Sequence, residues 1–158
     1  PHQYGPPELC YWTEETDLPG LAINRFGKGK AVYFPWNPGS LFYREGHDNT
    51  LIFVRDVLTK IAGLPVIKGL SPMVEATMAK SPDSAFSLLQ LVNTSGHFGN
   101  SFYDPVTMRD LSIVIPHDTE PRTVMRLSDG ADVPFAYGDG RLTLQLDTLS
   151  FFEGIKII

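Results

Sequence analysis

The chain has 158 residues and 42% hydrophobic content, enough for one sizeable globular domain or two small ones and too apolar for a disordered segment. Its net charge of −5, without a basic stripe, argues against nucleic acid as a main partner. The longest apolar runs, such as "FSLLQLV", are far shorter than a membrane-spanning helix, so no membrane partner is expected.

The chain opens "PHQYGPPELCYW", rich in Pro and aromatics, which reads as an extended lead-in. It carries neither an initiator Met nor a signal peptide with an apolar core, and we expect a piece of a longer protein or a processed chain. Cys10 is alone and cannot build a disulfide framework. "TDLPG" is a turn signal. "LAINRF" and "AVYFPW" read as two strands joined through "GKGK" into an antiparallel hairpin, with Pro35 ending the second strand or confining it to an edge. "NPGSLFYREGH" reads as a loop. "DNTLIFVRDVLTKIAG" is the one convincing helix, Asp48 to Ala62, with Asp48 or Asn49 capping its first turn. Leu51, Val54, Leu58 and Ile61 form its apolar stripe, widened by Phe53 and Val57. Lys60 suits the last turn, and Gly63 and Pro65 the stop.

After Gly63 the helical period disappears. "MVEATMA", "FSLLQLVN", "LSIVIP", "TVMRLS", "VPFAY", "RLTLQL" and "GIKII" are short strand-like segments separated by "KSPDS", "SDGAD" and "GDG". In "RLTLQL", Leu142, Leu144 and Leu146 alternate with polar residues, as in a half-buried strand, and "YGDGR" is the strongest hairpin signal. The expected fold is mainly β, α+β overall: a hairpin and one helix from an incomplete α/β layer, residues 1–64, then a small antiparallel β-sandwich, residues 65–158. Two strands and one helix bury too little to stand alone, so residues 1–64 should complete a larger layer or pack on the sandwich.

Candidate chemistry is sparse. "GKGK" lacks the glycine spacing, the Lys-Ser/Thr pair and the following helix of a phosphate loop, and reads as a turn whose glycines accept positive φ. Cys10 has no glycine-flanked elbow and no following helix, so it reads as structural rather than nucleophilic. His2, His47, His97 and His117 form no local metal-binding pair, and no metal or cofactor is expected. Glycoside hydrolysis needs two carboxylates flanking the scissile bond, and Glu14 with Glu15, Glu45 with Asp48, or Asp104 with Asp110 have no distinguishing context. "NTSGHFGNSFYDP", Asn93 to Pro105, reads as a long loop carrying His97, Phe98, Phe102 and Tyr103. These side chains can stack on a sugar ring or cover one end of the sandwich core; we take the covering or interface role as the default. "NTS" also matches a glycosylation acceptor, relevant only in a eukaryotic secretory route.

The stretch from "GPPELCYW" to "LTKIAG" resembles the end of the trimerisation domain of glycoside hydrolase family 42 β-galactosidases and their relatives: a "PPE" lead-in, a "TDxPG" turn, a "GKGxxVYFPW" hairpin and a "YxxGH" loop before the last helix. "LVNTSGHFG" and "SFFEGIKII" resemble strands of the β-sandwich that follows in such enzymes. The resemblance implies a non-catalytic, amidotransferase-like assembly region, with the catalytic carboxylates on an upstream (β/α)₈ barrel outside this chain. It implies that barrel as a partner, and a homo-oligomer. A carbohydrate-binding module using the loop aromatics is the alternative. No catalytic residue is assigned. Tyr33, Phe34 and Trp36 are expected to pack, and Tyr43, Arg44 and His47 to face outward; with Trp36, these three are the best contact cluster for a neighbouring domain, subunit or sugar.

Overall fold

The computed structural model describes residues 17–158, so the lead-in with His2, Cys10, Glu14 and Glu15 lies outside the described residues. The chain divides between Leu64 and Pro65 into two compact units.

In the first unit, β1 (Ala22–Phe26) and β2 (Gly29–Tyr33) pair antiparallel, Ala22 opposite Tyr33 and Phe26 opposite Gly29. The two-residue turn has Gly27 at φ 58°, the positive value a II′ hairpin needs at its first central position. The strand stops before Pro35, which has no N–H for a ladder. Tyr33, expected to pack, is instead 66% exposed. Strand alternation points its ring away from the face on which Val32 is half-buried.

The segment expected as a loop before the helix is itself helical: α1 spans Pro38–Glu45. Asn37 caps it by accepting the Ser40 N–H at 2.9 Å, Pro38 sits in its first turn, and Gly46 closes it at φ 65° with its N–H donated to the Phe42 carbonyl. The next helix, α2 (Asp48–Asp56), starts from His47 in an extended conformation, without the side-chain cap expected from Asp48 or Asn49. It does not run on as an α-helix to Ala62. Val57–Ile61 is a π-helical turn, in which the Ala62 N–H reaches back five residues to the Val57 carbonyl at 3.0 Å. Thr59 Oγ1 donates to the Arg55 carbonyl, a back-bond that loosens the α-helical ladder at this point. The wider turn changes which side chains face inward: Val57 is buried, whereas Leu58, expected in the stripe, is 40% exposed.

The second unit is the β-sandwich. One sheet has four strands in the order β3 (Val74–Lys80), β4 (Ser87–Asn93), β11 (Phe152–Ile157), β8 (Val124–Arg126). The other has three, in the order β7 (Met108–Pro116), β10 (Arg141–Leu149), β9 (Phe135–Gly138). A further pair, β5 (His97–Phe98) and β6 (Ser101–Phe102), interrupts the stretch expected to be an irregular loop. All pairings between these strands are antiparallel.

Period-2 alternation explains the core. Leu89 and Leu91 of β4, Ile155 and Ile157 of β11, Ile113 and Ile115 of β7, and Leu142, Leu144 and Leu146 of β10 form one buried cluster across the two sheets. The β9–β10 hairpin turns on Asp139 at φ 51° and Gly140 at φ 68°, the two positive values of a I′ turn. Gly69, at φ 84°, lies where a Cβ would fall 1.9 Å from the Ser112 carbonyl oxygen, so only glycine permits the neighbouring Lys68 to bridge Val114 on β7.

Leu144 is fully buried at the centre of this cluster. Leu144→Asp should lower unfolding free energy by roughly 3–5 kcal/mol in chemical denaturation, because it places an unpaired charge between the sheets. A loss below about 1 kcal/mol would show that the sheets do not close on that side chain.

Candidate functional site

Four residues singled out by sequence, His97, Phe98, Phe102 and Tyr103, come together at one end of the sandwich, and buried Asn93 holds them there. Asn93 ends β4 and is 1% exposed. Its Nδ2 donates to the Val106 carbonyl at 2.9 Å and the Ser150 carbonyl at 2.7 Å, and lies 3.4 Å from that of Leu149. Its Oδ1 accepts the Ser95 N–H at 3.1 Å, and its own N–H reaches the Phe151 carbonyl at 2.8 Å. The base of the excursion is latched twice more. Thr94 donates both its N–H and its hydroxyl to the Met73 carbonyl, each at 2.8 Å, and Ser95 Oγ accepts the Val106 N–H at 2.9 Å. A Cβ on Gly96 would lie 2.0 Å from the Tyr103 carbonyl oxygen, so the two backbones approach in a way only glycine allows. This bonding also answers the "NTS" match: the Asn93 carboxamide is fully engaged inside the fold and cannot carry a glycan there.

From this base the β5–β6 hairpin projects. His97 pairs with Phe102, and their rings stack at 4.8 Å between centroids with an 18° interplanar angle. Phe98 and Phe102 are 80% and 79% exposed, and Tyr103 is exposed beside them. The default expectation for these aromatics is a covering or interface role; none of the four is in the buried core cluster or packed against it. A cavity of about 340 Å³ opens here, lined by Glu75, Thr94, His97, Phe102, Tyr103 and Phe151. The ion pairs among the described residues are Lys60–Asp56, Lys80–Asp118, Arg126–Asp129 and Arg126–Asp147; Glu75 belongs to none of them. Sequence reasoning missed Glu75 and Phe151. Glu75 carries only the outward parity of a strand beginning at buried Val74, and Phe151 lies in the β10–β11 turn.

A second cavity, about 470 Å³, has a mixed polar and apolar lining without an aromatic ring. Arg126 fills its wall, donating from Nε to Asp129 Oδ1 at 3.2 Å, from another guanidinium nitrogen to Asp129 Oδ2, and from Nη1 to Asp147 Oδ1 at 3.0 Å. The Ala131 N–H and then the Arg126 guanidinium hold the Asp129 carboxyl below its usual range, and Asp129 raises Arg126 in turn. Behind this turn, buried Glu153 accepts the Ser128 hydroxyl at 2.6 Å and the Gly154 N–H at 3.0 Å. These groups spend their hydrogen bonds on one another and fix the turn after β8. Asp110, named as half of a carboxylate pair by sequence, lines this cavity at φ 53°, whereas Asp104 does not line it. No group of three or more His, Cys, Asp or Glu that could hold a metal occurs among the described residues.

In the first unit, Trp36 packs and the other three residues of the expected contact cluster are exposed. Trp36 belongs to an aromatic trio: its ring stacks on Phe53 at 5.9 Å and 27°, Phe34 meets both edge-on, and its indole N–H donates to the Gly20 carbonyl at 2.8 Å. Even so, Trp36 is 37% exposed. Tyr43 and Arg44 are exposed on α1, and His47 is exposed at the start of α2. No helix is long and apolar enough to cross a membrane among the described residues.

No family model matches the chain, and no curated protein does. Among solved structures it is similar to α-L-fucosidase isoenzyme 2 from Paenibacillus thiaminolyticus, with a TM-score of 0.64 and 14% identity over 88% of this chain and 22% of that one. The chain thus spans only a small part of that protein's length, and at this identity the likeness shows a shared fold. A cycloisomaltooligosaccharide glucanotransferase from Paenibacillus sp., complexed with cycloisomaltoheptaose, gives a TM-score of 0.44 at 10% identity over 57% of this chain and 17% of that one, too low a score to support any inference.

Two sets of melts check these assignments. Asn93→Ala should cost about 3 kcal/mol, because it strands several buried backbone groups, whereas Phe102→Ala should stay within about 1 kcal/mol. Equal losses would mean that the hairpin is part of the core. Trp36→Ala should cost about 2 kcal/mol, less than a fully buried ring, while Arg44→Ala and His47→Ala each stay within about 0.5 kcal/mol. A melt of either surface variant as low as that of Trp36→Ala would place those side chains in the packing.

Proposed function

We propose that the chain is a non-catalytic structural and assembly region of a glycoside-processing protein whose catalytic barrel lies elsewhere in the same polypeptide. The observation that carries this reading is the likeness to the α-L-fucosidase, which extends over 88% of this chain and only 22% of that protein. That alignment is longer than the sandwich alone, so it includes part of the first unit. The order of the motifs supports the finer assignment. Residues 1–64 are then the end of an amidotransferase-like trimerisation domain, and residues 65–158 the following sandwich of a β-galactosidase-like, family 42 protein.

The electrostatics support the same reading. A glycosidase acid needs a carboxyl whose pKa is raised toward neutrality. Among the described residues the shifted carboxylates are lowered instead: Asp56 by its hydrogen bond from Lys60, Asp83 by those from Ser81 and the Ala85 N–H, and Asp129 by those from the Ala131 N–H and Arg126. Each serves a local turn or helix. Tyr43, Arg44 and His47, exposed around the α1–α2 junction, are the contacts we assign to a neighbouring domain or subunit.

The purified chain should release no chromophore from chromogenic galactosides or fucosides above the buffer rate. Turnover that survives repurification, and is lost on substituting one Asp or Glu of this chain, would overturn the reading.

A further inference from the structure

We infer that the cavity beneath the β5–β6 hairpin is a binding site for an uncharged pyranose ring at the end of an oligosaccharide. The inference rests on the geometry of the second unit and not on the identity of any parent enzyme.

Three features converge. The first is aromatic surface the fold does not use. Phe102, Tyr103 and Phe151 line the cavity and remain exposed, while the core closes without them. The C–H face of a pyranose is broad and apolar, and it stacks on such rings. The second is polar capacity at the same place. Glu75 is exposed and takes part in no ion pair among the described residues. His97 and Tyr103, each with a polar group, also line the cavity. A carboxylate accepts hydrogen bonds on two oxygens, and vicinal sugar hydroxyls supply two donors. An apolar peptide would bury Glu75 against carbon, at the cost of desolvating an unpaired charge. The third is rigidity. The Asn93 carboxamide, the two Thr94 bonds to Met73 and the Gly96–Tyr103 approach hold the aromatic hairpin at its base. A site built this way loses little freedom on binding.

The charge decides which sugars fit. A carboxylate at the cavity, in a chain of net charge −5, repels uronic and sialic acids. A volume of about 340 Å³ lies at the small end of ligand pockets, which suits the last one or two rings of a chain rather than a long glycan lying flat. The Arg126 cavity has no ring to stack on, and Arg126 and Asp147 in its lining are already paired, so it does not compete as the sugar site.

The test is calorimetric or NMR titration of the 158-residue chain with galacto-, gluco- and fuco-configured neutral oligosaccharides and with their uronic-acid counterparts. At least one neutral sugar should saturate, and the uronates should bind at least about tenfold more weakly. Glu75→Gln should weaken neutral-sugar binding about tenfold and narrow the gap to the uronates. Phe102→Ala and Tyr103→Ala should abolish detectable binding with an unchanged melting temperature, which separates a lost platform from a lost fold. The inference is overturned if no neutral sugar saturates, if uronates bind as tightly, or if the three variants bind like the wild type. It is also overturned if sedimentation shows a self-associated chain that Phe102→Ala dissociates and sugar does not, since the aromatic surface would then be an interface between copies. None of these outcomes bears on the hydrolysis assay, so a failure here leaves the accessory role standing, and turnover there leaves the sugar site standing.

Discussion

The second unit depends on one buried carboxamide. At Asn93 the four-stranded sheet ends, strand β10 of the other sheet turns over into β11, and the aromatic excursion leaves the sandwich. Backbone carbonyls at such a crossing lie outside the regular strand ladders and need another partner. The Asn93 amide supplies donors to Val106 and Ser150, and its oxygen takes the Ser95 N–H. A hydrophobic residue would fill the same volume and leave those groups unpaired. An aspartate would offer acceptors where donors are needed and add a buried charge.

That closure lets the aromatic residues serve something other than the core. In a small sandwich, rings at an open end commonly plug it. Here the plug is polar and local, so Phe98, Phe102, Tyr103 and Phe151 stay exposed, the last three lining a cavity with Glu75. The Arg126 turn shows the contrary economy. Arg126 spends its guanidinium on Asp129 and Asp147, and Glu153 takes the Ser128 hydroxyl, so these groups fix a corner.

The first unit behaves differently. Its packing is an aromatic trio of Phe34, Trp36 and Phe53, and its hairpin has almost no buried residue on either strand. A two-stranded hairpin of this kind is marginal in water by itself. Exposed Phe26 and Tyr33 on one face are what a strand pair looks like when it belongs to a larger layer. This agrees with the accessory role proposed for the chain.

Much of the sandwich was legible in the sequence because a strand's period is short and local. Leu142, Leu144 and Leu146 mark a buried face by alternation alone, and Asp139-Gly140 names its own turn through the positive φ it must adopt. The same local chemistry marks α1 in Asn37-Pro38 and Gly46, a cap, a first-turn proline and a left-handed stop, although the expectation for this stretch is a loop. The π-helical turn at Val57–Ile61 left no comparable mark, since an i to i+5 ladder uses the same residues as an α-helix and differs by where one bond closes. Exposure of the aromatics was beyond the sequence altogether. Phe102 and Phe135 are alike as side chains; one is solvent-facing and the other packs against the core, and only the assembled sheets decide which. So too with Asn93, a polar residue before a turn in one dimension. Its value comes from carbonyls at Val106 and Ser150, brought to it only when both sheets have formed. Composition and period determined that this chain would be a sandwich with a hairpin and a helix ahead of it. Tertiary closure decided where its exposed rings and the Glu75 carboxylate meet, because that meeting joins residues far apart in the chain and no local pattern encodes it.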